Sequence, residues 1–292
     1  MRVQVFGAGS LGTLIGAVLS DAGVDVHLVG RKRVVRGFED GVRVTGTEEF
    51  VAHPSFSTEP RDADITLVTV KSYDTDAAAE ALASTVGEND TVVSLQNGMG
   101  NEEILDGALD ATVLGGTATY GANLRADEGV VGYAGEGRVH VGDYRGGECD
   151  EARRVADGLD GLRAEPTDEM DVRLWEKLAV NAAINPVTAL IGVRNGEAAE
   201  RAGEVMRRAG EEVETVAAAR GVDIKGSADR AVEVAEATAD NVSSTLQDVR
   251  RGRRTEIEAL NGYVVNVAEE TGVDVPTNRT LTSLVRAVQR TK

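Results

Sequence analysis

The sequence predicts an α/β protein of two domains, in which an N-terminal doubly wound parallel sheet is followed by an all-helical domain. Three observations support this prediction. A strand, a glycine-rich loop and a helix open the chain within residues 2–22. Short apolar segments follow, and each ends in a polar or glycine-containing loop. Beyond about residue 165 the apolar residues instead recur with helical periodicity. We therefore place the domains at residues 1–165 and 166–292.

The opening of the chain has the pattern of a dinucleotide-binding fold. Residues 2–6 form a predicted strand, which is followed directly by Gly7-Ala8-Gly9-Ser10-Leu11-Gly12. A helix over 13–22 and a second strand over 24–29 complete the unit. In this Rossmann-type arrangement the first glycine makes the tight turn, the second lets the backbone approach a pyrophosphate, and the third lets the helix pack on the strand. Amide groups at the start of the helix then face the phosphates.

The residues after the second predicted strand indicate which dinucleotide is bound. An acidic residue at this place would bind the ribose hydroxyls of NAD, but the chain has Gly30-Arg31-Lys32-Arg33. Three cations in a chain of net charge −18 favour the 2′-phosphate of NADP. The alternative is a solvated basic turn. Lys71, which follows the strand predicted over 65–70, could add a charge near the same phosphate.

Two later strands also end in loops with candidate groups. Strands are predicted over 91–95 and 112–120, and they are followed by Gln96-Asn97-Gly98-Met99-Gly100 and Gly121-Ala122-Asn123. Ligands of open α/β sheets bind beyond the carboxyl ends of the strands, so Asn97 could span cofactor and substrate. Residues 130–141 are expected to form a glycine-rich hairpin that finishes the domain.

A helix predicted over Leu174–Thr188 has one polar stripe on an otherwise apolar surface. At about 100° per residue, the stripe contains Lys177, Asn181, Asn185 and Thr188. Such groups on a buried helix are costly unless they meet a polar ligand or one another. Lysine is scarce here, with five lysines against twenty-six arginines, and a desolvated lysine can lose its proton where arginine cannot. The stripe fits a site, expected in the cleft between the domains, that holds a small anion and protonates it. The alternative is a lysine that snorkels from a core helix.

Two further segments of the helical domain contain candidate groups. Residues 241–248 begin a helix with several hydroxyls, where Ser244 and unpaired amides could hold a carboxylate or form an ordinary helix cap. Glu256 lies beside apolar positions and could accept a hydrogen bond from a substrate hydroxyl or a cofactor ribose. The alternative for Glu256 is a surface charge on a helix. The other predicted helices are 197–219, 227–239, 261–271 and 280–289.

Composition excludes several classes of function. The net charge of −18 argues against binding to nucleic acid or to anionic membranes, and no apolar run reaches the length of a membrane span. A single cysteine, Cys149, excludes an internal disulfide, and the three histidines lack metal-ligand spacing, so no metal site is predicted. A strand begins within two residues of Met1, so we expect no signal peptide and a cytoplasmic location.

High acidity with few lysines suggests adaptation to high salt, the alternative being an acidic mesophilic enzyme. The oligomeric state is left open, a homodimer included.

These segments together resemble the ketopantoate reductase (2-dehydropantoate 2-reductase) family over almost the whole chain. The matching segments are Gly7–Gly12, Gln96–Gly100, Leu174–Asn181, Ile184–Leu190, Asn195-Gly196-Glu197, Ser243-Ser244-Thr245-Leu246-Gln247-Asp248 and Arg254-Thr255-Glu256-Ile257. The resemblance implies a C-terminal all-helical domain of the 6-phosphogluconate-dehydrogenase-like type behind the Rossmann-type sheet. It also implies NADPH-dependent reduction of the 2-keto acid 2-dehydropantoate to (R)-pantoate, on the route to pantothenate and coenzyme A. Some members of the family accept NADH.

The same resemblance implies a role for each candidate residue. Lys177 matches the general acid, and Glu256 matches the acid that contacts the substrate hydroxyl or the cofactor. The substrate-binding positions are Asn97, Asn181, Asn185, Asn195 and Ser244. The cofactor-binding positions are Gly7, Ala8, Gly9, Ser10, Leu11 and Gly12 in the loop, Arg31 and Lys71 at the 2′-phosphate, and Asn97, Ala122 and Glu256.

Two other functions fit the same architecture. One is a reductase that acts on a different branched 2-keto acid, because the groups that bind a carboxylate and a carbonyl do not define the rest of the substrate. The other is a non-catalytic NADP-binding sensor. The combined presence of Lys177, Asn181, Ser244 and Glu256 counts against a sensor, because a sensor needs no proton donor.

Overall fold

The computed structural model describes residues 1–135 and 137–290. In chain order the strands are β1 (Arg2–Phe6), β2 (Asp25–Val29), β3 (Val42–Gly46), β4 (Phe50–Ala52), β5 (Ser55–Ser57), β6 (Ile65–Val68), β7 (Thr91–Ser94), β8 (Thr112–Ala118), β9 (Gly121–Arg125), β10 (Val130–Ala134), β11 (Val139–Gly142) and β12 (Ala164–Pro166). The α-helices are α1 (Ser10–Asp21), α2 (Lys32–Arg36), α3 (Thr75–Leu82), α4 (Asn101–Ala108), α5 (Asp150–Gly158), α6 (Met170–Ile191), α7 (Asn195–Ala219), α8 (Ser227–Ala237), α9 (Ser244–Arg250), α10 (Tyr263–Thr271) and α11 (Pro276–Arg290). A π-helical turn occupies Glu258–Gly262, and 3₁₀ turns occupy Ser72–Asp74 and Ala126–Glu128.

The chain forms two compact units. The first contains residues 1–96 and 101–170, and the second contains residues 97–100 and the chain from 171 onward. Parallel strands dominate the first unit, whereas the second is built from helices. The predicted fold class, an α/β protein with an N-terminal parallel sheet and a helical C-terminal region, is confirmed.

The main sheet of the first unit has eight strands in the order β12-β11-β8-β7-β6-β1-β2-β5. The six strands from β8 to β5 are parallel, and β11 joins β8 antiparallel. Every residue of β6 and β7 is buried, as expected where helices cover both faces of a parallel sheet. Both edge strands, β5 and β12, are only three residues long.

Two predictions, the hairpin over 130–141 and the loop over 121–123, are wrong because these residues belong in part to a second sheet. The segment 130–141 is not a hairpin, because β10 pairs with β9 and β3 in a four-stranded sheet whereas β11 pairs with β8 and β12 in the main sheet. Gly121, Ala122 and Asn123 are not a loop either, because they begin β9. A side chain at Gly121 would collide with the Ala134 carbonyl, so this glycine serves close strand pairing rather than a turn.

The core of the helical unit lies along α6. Trp175, Leu178 and Ala182 pack with apolar side chains of α7 and α10. One turn further on, Ile184 and Val187 pack with side chains of α7 and α8. The helix therefore buries most of its circumference, which is why its sequence is apolar apart from the predicted polar stripe.

Candidate active site

The glycine loop has the geometry that its predicted role requires. Gly7 has φ +120°, a conformation that favours glycine, and its amide donates to the Val29 carbonyl at 3.0 Å. A side chain at Gly12 would collide with the Gly7 carbonyl and with Thr69 Oγ1. At Gly9, by contrast, a Cβ would lie 4.0 Å from the Gly7 oxygen and would meet nothing nearer among the described residues. The space above Gly9 is thus open to a ligand.

The start of α1 is free to bind an anion. The N-cap residue, Gly9, has no side chain to bond the first amides of this helix, which suits these amides to another acceptor. The Ser10 side chain points toward β9, since its Oγ accepts a hydrogen bond from the Leu124 amide at 3.2 Å. This bond ties the loop to β9, the strand in which Ala122 lies. Ala8 is buried beneath Gly30, where an added Cβ would come within 2.7 Å of the Ala8 Cβ.

The basic residues after β2 divide into two groups. The Arg33 guanidinium forms a two-point salt bridge with Asp127, which raises the pKa of Arg33 and lowers that of Asp127. Arg31 has an 87% exposed side chain, and its Nη2 lies 3.3 Å from Asp74 Oδ2. Asp74 ends the 3₁₀ turn that Lys71 precedes, and the Asp74 amide donates to the Lys71 carbonyl at 2.8 Å. Arg31 therefore contacts the 3₁₀ turn that directly follows Lys71.

The polar stripe of α6 runs from the surface into the core. Lys177 and Asn181 are half-buried, Asn185 is buried and Thr188 has no exposed surface. The helix begins at Met170 and ends at Ile191, so the stripe lies well inside it.

Thr188, the innermost member of the stripe, is used within the fold. Its Oγ1 lies 2.6 Å from Ser243 Oγ, and it donates to the Ile184 carbonyl at 3.0 Å. Ser243 in turn accepts a hydrogen bond from the Leu246 amide at 3.1 Å and so caps α9. The simplest assignment that satisfies every group has Ser243 donating to Thr188 and Thr188 donating to the helix carbonyl.

The cap leaves Ser244 as the first residue of α9, where it is half-buried. The sequence prediction considered Ser244 either as a ligand group or as part of an ordinary cap, and the capping hydroxyl belongs to its neighbour Ser243. Ser243 was missed as the cap, although a serine directly before a helix is a recognisable capping signal.

Asn195 has a buried polar atom without a partner. It begins α7, is 7% exposed, and donates from Nδ2 to Thr238 Oγ1 at 2.9 Å. Its backbone amide donates to the Asn241 carbonyl at 3.1 Å. The Oδ1 atom accepts no hydrogen bond from any residue that the structure describes. Because buried polar atoms are normally paired, this oxygen is suited to accept a hydrogen bond from a ligand.

Glu256 does not lie on a helix surface. It is 5% exposed and precedes the π-helical turn, so the alternative of a surface helix charge is wrong. The neighbouring Thr255 holds the segment in place, since its amide donates to Gln289 Oε1 at 2.7 Å.

The turn that contains Asn97 packs on the same segment of the second unit. The Met99 amide donates to the Ala259 carbonyl at 3.0 Å. Gly98 has φ +83°, and a Cβ added at Gly98 would come within 2.6 Å of the Ala259 methyl group. Asn97 is half-buried. The second unit therefore contains all the predicted substrate-binding residues, whereas the glycine loop, Arg31, Lys71 and Ala122 belong to the first unit.

Other candidate features lie away from these residues. A cavity of about 490 Å³ is lined by the end of α7 and the loop after it, and a cavity of about 330 Å³ is lined by Arg253, Arg254, Glu258 and Arg286 among others. Within residues 1–135 and 137–290 there is no group of three or more His, Cys, Asp or Glu residues arranged to hold a metal ion. Over the same residues, none of the helices has the length and apolar character needed to cross a membrane.

Comparison with known proteins identifies the family. Residues 3–146 match the family model described as "Ketopantoate reductase PanE/ApbA", and residues 169–289 match that described as "Ketopantoate reductase PanE/ApbA C terminal". The chain belongs to the ketopantoate reductase family. The predicted resemblance is thereby confirmed, and the chain is an oxidoreductase whose cofactor class is a nicotinamide dinucleotide.

Individual relatives agree with this assignment. The chain is 46% identical over 292 residues to a 2-dehydropantoate 2-reductase of Archaeoglobus fulgidus, covering 99% of this chain and 98% of the relative. A crystal structure of a PanE/ApbA family ketopantoate reductase from Ralstonia eutropha matches with a TM-score of 0.91 and 32% identity, over 100% of this chain and 99% of that one. A D-mandelate dehydrogenase solved with NADH and anilino(oxo)acetate has a TM-score of 0.91 at 22% identity, over 100% and 99% of the two chains. That likeness shows a shared fold alone.

Proposed function

We propose that this chain catalyses the NADPH-dependent reduction of 2-dehydropantoate to (R)-pantoate, on the route to pantothenate and coenzyme A. The observation that supports it most directly is the polar stripe of α6, in which a half-buried lysine and carboxamides are held on an otherwise buried helix. Full-length identity of 46% to a 2-dehydropantoate 2-reductase supports the same substrate. We assign cofactor binding to residues 1–165 and substrate binding and catalysis to residues 166–292, in a cytoplasmic enzyme.

The proposed chemistry requires a hydride and a proton to reach the carbonyl carbon and oxygen of the keto acid. When bound, the reduced nicotinamide supplies the hydride. Negative charge then develops on the carbonyl oxygen, and Lys177 hydrogen-bonds this oxygen and donates the proton. Lysine suits this role because its ammonium group can release a proton, whereas the guanidinium group of arginine cannot.

The neutral side chains hold the substrate. Asn181, Asn185 and Ser244 present carboxamide and hydroxyl groups that bind a carboxylate without adding a positive charge. The unpaired Oδ1 of Asn195 is an acceptor for a substrate hydroxyl. Glu256, buried before the π-helical turn, accepts a second hydroxyl from substrate or cofactor.

The cofactor preference rests on the first unit. The open space above Gly9 and the uncapped start of α1 fit a pyrophosphate. Arg31 and the turn that follows Lys71 fit a 2′-phosphate, because an exposed guanidinium can exchange its contact with Asp74 for one with a phosphate. NADPH is therefore the proposed cofactor, and NADH is the one that would be used less efficiently.

The test is steady-state oxidation of NADPH with 2-dehydropantoate in molar salt, with NADH and 2-ketoisovalerate run in parallel. Fast oxidation of NADPH with 2-dehydropantoate is the expected result. Activity with NADH alone would keep the reaction and overturn the cofactor preference. Faster turnover of 2-ketoisovalerate would move the substrate to another branched 2-keto acid, and a folded protein that binds cofactor but reduces neither acid would overturn the proposal.

A further inference from the structure

The catalytic helix contains a proline that leaves a carbonyl without its usual partner. Pro186 lies inside α6, directly after Asn185. Proline has no N–H, so it cannot donate to the carbonyl four residues earlier, which is that of Ala182. Ala182 has no exposed surface, so water does not replace the missing donor. A buried carbonyl in this position needs a donor from elsewhere in the fold.

Asn261 supplies that donor. Its Nδ2 donates to the Ala182 carbonyl at 2.9 Å, and the side chain is fully buried. Asn261 lies in the π-helical turn Glu258–Gly262, in which Leu260 departs from helical geometry with φ −100° and ψ −107°. The wider turn allows a side chain to reach across to α6.

The orientation of this carboxamide is fixed by its surroundings. Asn261 Nδ2 also donates to Asn278 Oδ1 at 2.9 Å, and Asn278 Nδ2 donates to the Ala209 carbonyl at 3.0 Å. Rotating either carboxamide by half a turn would place an oxygen against a carbonyl, so only one arrangement is consistent. Glu212 completes the chain by accepting hydrogen bonds from the backbone amide and the side chain of Asn278, both at 2.8 Å.

We infer that Asn261 is a positioning residue for the active site. By replacing the N–H that Pro186 lacks, it fixes the segment from Glu256 to Gly262 in register with α6. Ala182, whose carbonyl Asn261 contacts, follows Asn181 directly and precedes Asn185 by three residues, so the bond is made at the same level of α6 as these two asparagines. The roles of Lys177 and Glu256 rest on the proposed function, whereas the bond between Asn261 and Ala182 does not.

A double-mutant cycle tests the bond itself. In Pro186→Ala the helix regains the N–H for the Ala182 carbonyl, so Asn261 is no longer needed there. We expect Asn261→Ala to reduce the equilibrium constant for folding about tenfold or more in the native background, because a buried carbonyl is left unpaired. In the Pro186→Ala background the reduction should be several-fold smaller. Urea unfolding of the four proteins gives the coupling.

A matched control separates this coupling from a general loss of stability. Asn101→Ala removes another buried asparagine, in the first unit, and its effect should add to that of Pro186→Ala without coupling. Additive effects of Asn261→Ala and Pro186→Ala would overturn the inference. If Asn261→Ala does not fold alone, a folded double variant supports the inference, and a double variant that also fails to fold contradicts it.

Kinetics test whether the bond positions the site. At a temperature where circular dichroism shows Asn261→Ala to be folded, we expect kcat to fall about 10- to 100-fold, because small displacements of reacting groups are costly. The dissociation constant of NADPH, measured without keto acid, should change less than kcat, because the glycine loop and Arg31 belong to the other unit. A native kcat would overturn the positioning role. The reaction is measured with the 2-keto acid that the native enzyme reduces, so failure of the proposed substrate would not be mistaken for failure of this inference.

Discussion

Replacing Gly9 by alanine should separate cofactor binding from folding. Gly9 has φ −79° and ψ −166°, an extended conformation that alanine adopts without strain. The new methyl group would lie 4.0 Å from the Gly7 oxygen and, apart from its chain neighbours, within 4 Å of no other described residue. We therefore expect the free energy of unfolding to be unchanged or raised by about 0.4–1 kcal/mol, because alanine restricts the unfolded chain.

The effect on cofactor affinity follows from the same geometry. The methyl group would occupy the space through which a pyrophosphate approaches the amides at the start of α1. Displacing the pyrophosphate by the radius of a methyl group should weaken at least one hydrogen bond to a charged acceptor, which contributes about 1.5–3 kcal/mol. The dissociation constant of NADPH should therefore rise about 10- to 100-fold.

The assay combines fluorescence titration of NADPH with urea unfolding of Gly9→Ala and a matched control. In Gly12→Ala the added methyl would collide with the Gly7 carbonyl and lie 3.1 Å from Val5 Cγ1, which should destabilise the fold by about 1–3 kcal/mol. A Gly9→Ala protein that binds NADPH with native affinity would refute the reasoning. So would a Gly9→Ala protein that is destabilised as much as Gly12→Ala.

Four other predictions concern single groups or conditions. Lys177→Ala should lose about 10²–10⁴ in kcat with the fold intact, measured by steady-state kinetics, because the proton donor is gone. Arg31→Ala should raise the KM for NADPH far more than that for NADH, because only NADPH has the 2′-phosphate. Burial, with a smaller effect from the positive charge of Arg61, lowers the pKa of His27 below its ordinary value of 6.5, so the folded state binds fewer protons. This contribution to stability should be complete above about pH 6.5 and be lost as the pH falls below it, as measured by urea unfolding across pH. Lowering the salt from molar concentration to about 0.1 M should lower Tm, because the repulsion within a chain of net charge −18 is then less screened.

Each of these predictions has a result that contradicts it. Near-native turnover in Lys177→Ala would mean that Lys177 is not the general acid. Equal changes in KM for NADPH and NADH in Arg31→Ala would mean that Arg31 does not bind the 2′-phosphate. His27 bonds to Ser55 and Ser57 through its two ring nitrogens, both at 2.8 Å, so the control is His27→Gln, whose stability should vary less with pH. An unchanged pH profile in that variant would assign the effect to other groups. Full stability at low ionic strength would remove the hypothesis of salt adaptation.

The local patterns of the sequence predicted the local structure well. The predicted strand over 2–6 matches β1, and the predicted helix over Leu174–Thr188 lies within α6. These elements follow from short-range patterns, either alternation and a glycine loop or an apolar helix with one polar side. The predicted hairpin over 130–141 was wrong because alternation shows where strands are but not which strands they pair with.

Long-range polar contacts were the part that the sequence could not supply. The burial of Glu256 depends on which elements pack around it, and no spacing in its own segment indicates this. Pro186 lies within the predicted helix, but the sequence does not show which group bonds the carbonyl it leaves without a donor, because Asn261 is far along the chain. Its helical periodicity made Asn261 look like the start of an ordinary helix rather than part of a π-helical turn.

The edges of the main sheet bear on how copies of this chain can associate. Each edge is a strand of three residues, and the outer strand β12 ends at Pro166, which has no N–H to donate. A second copy therefore has no long edge of the main sheet to extend, which protects this sheet against the addition of further strands. A stable dimer of this chain is therefore not expected to form by joining two copies of the main sheet edge to edge.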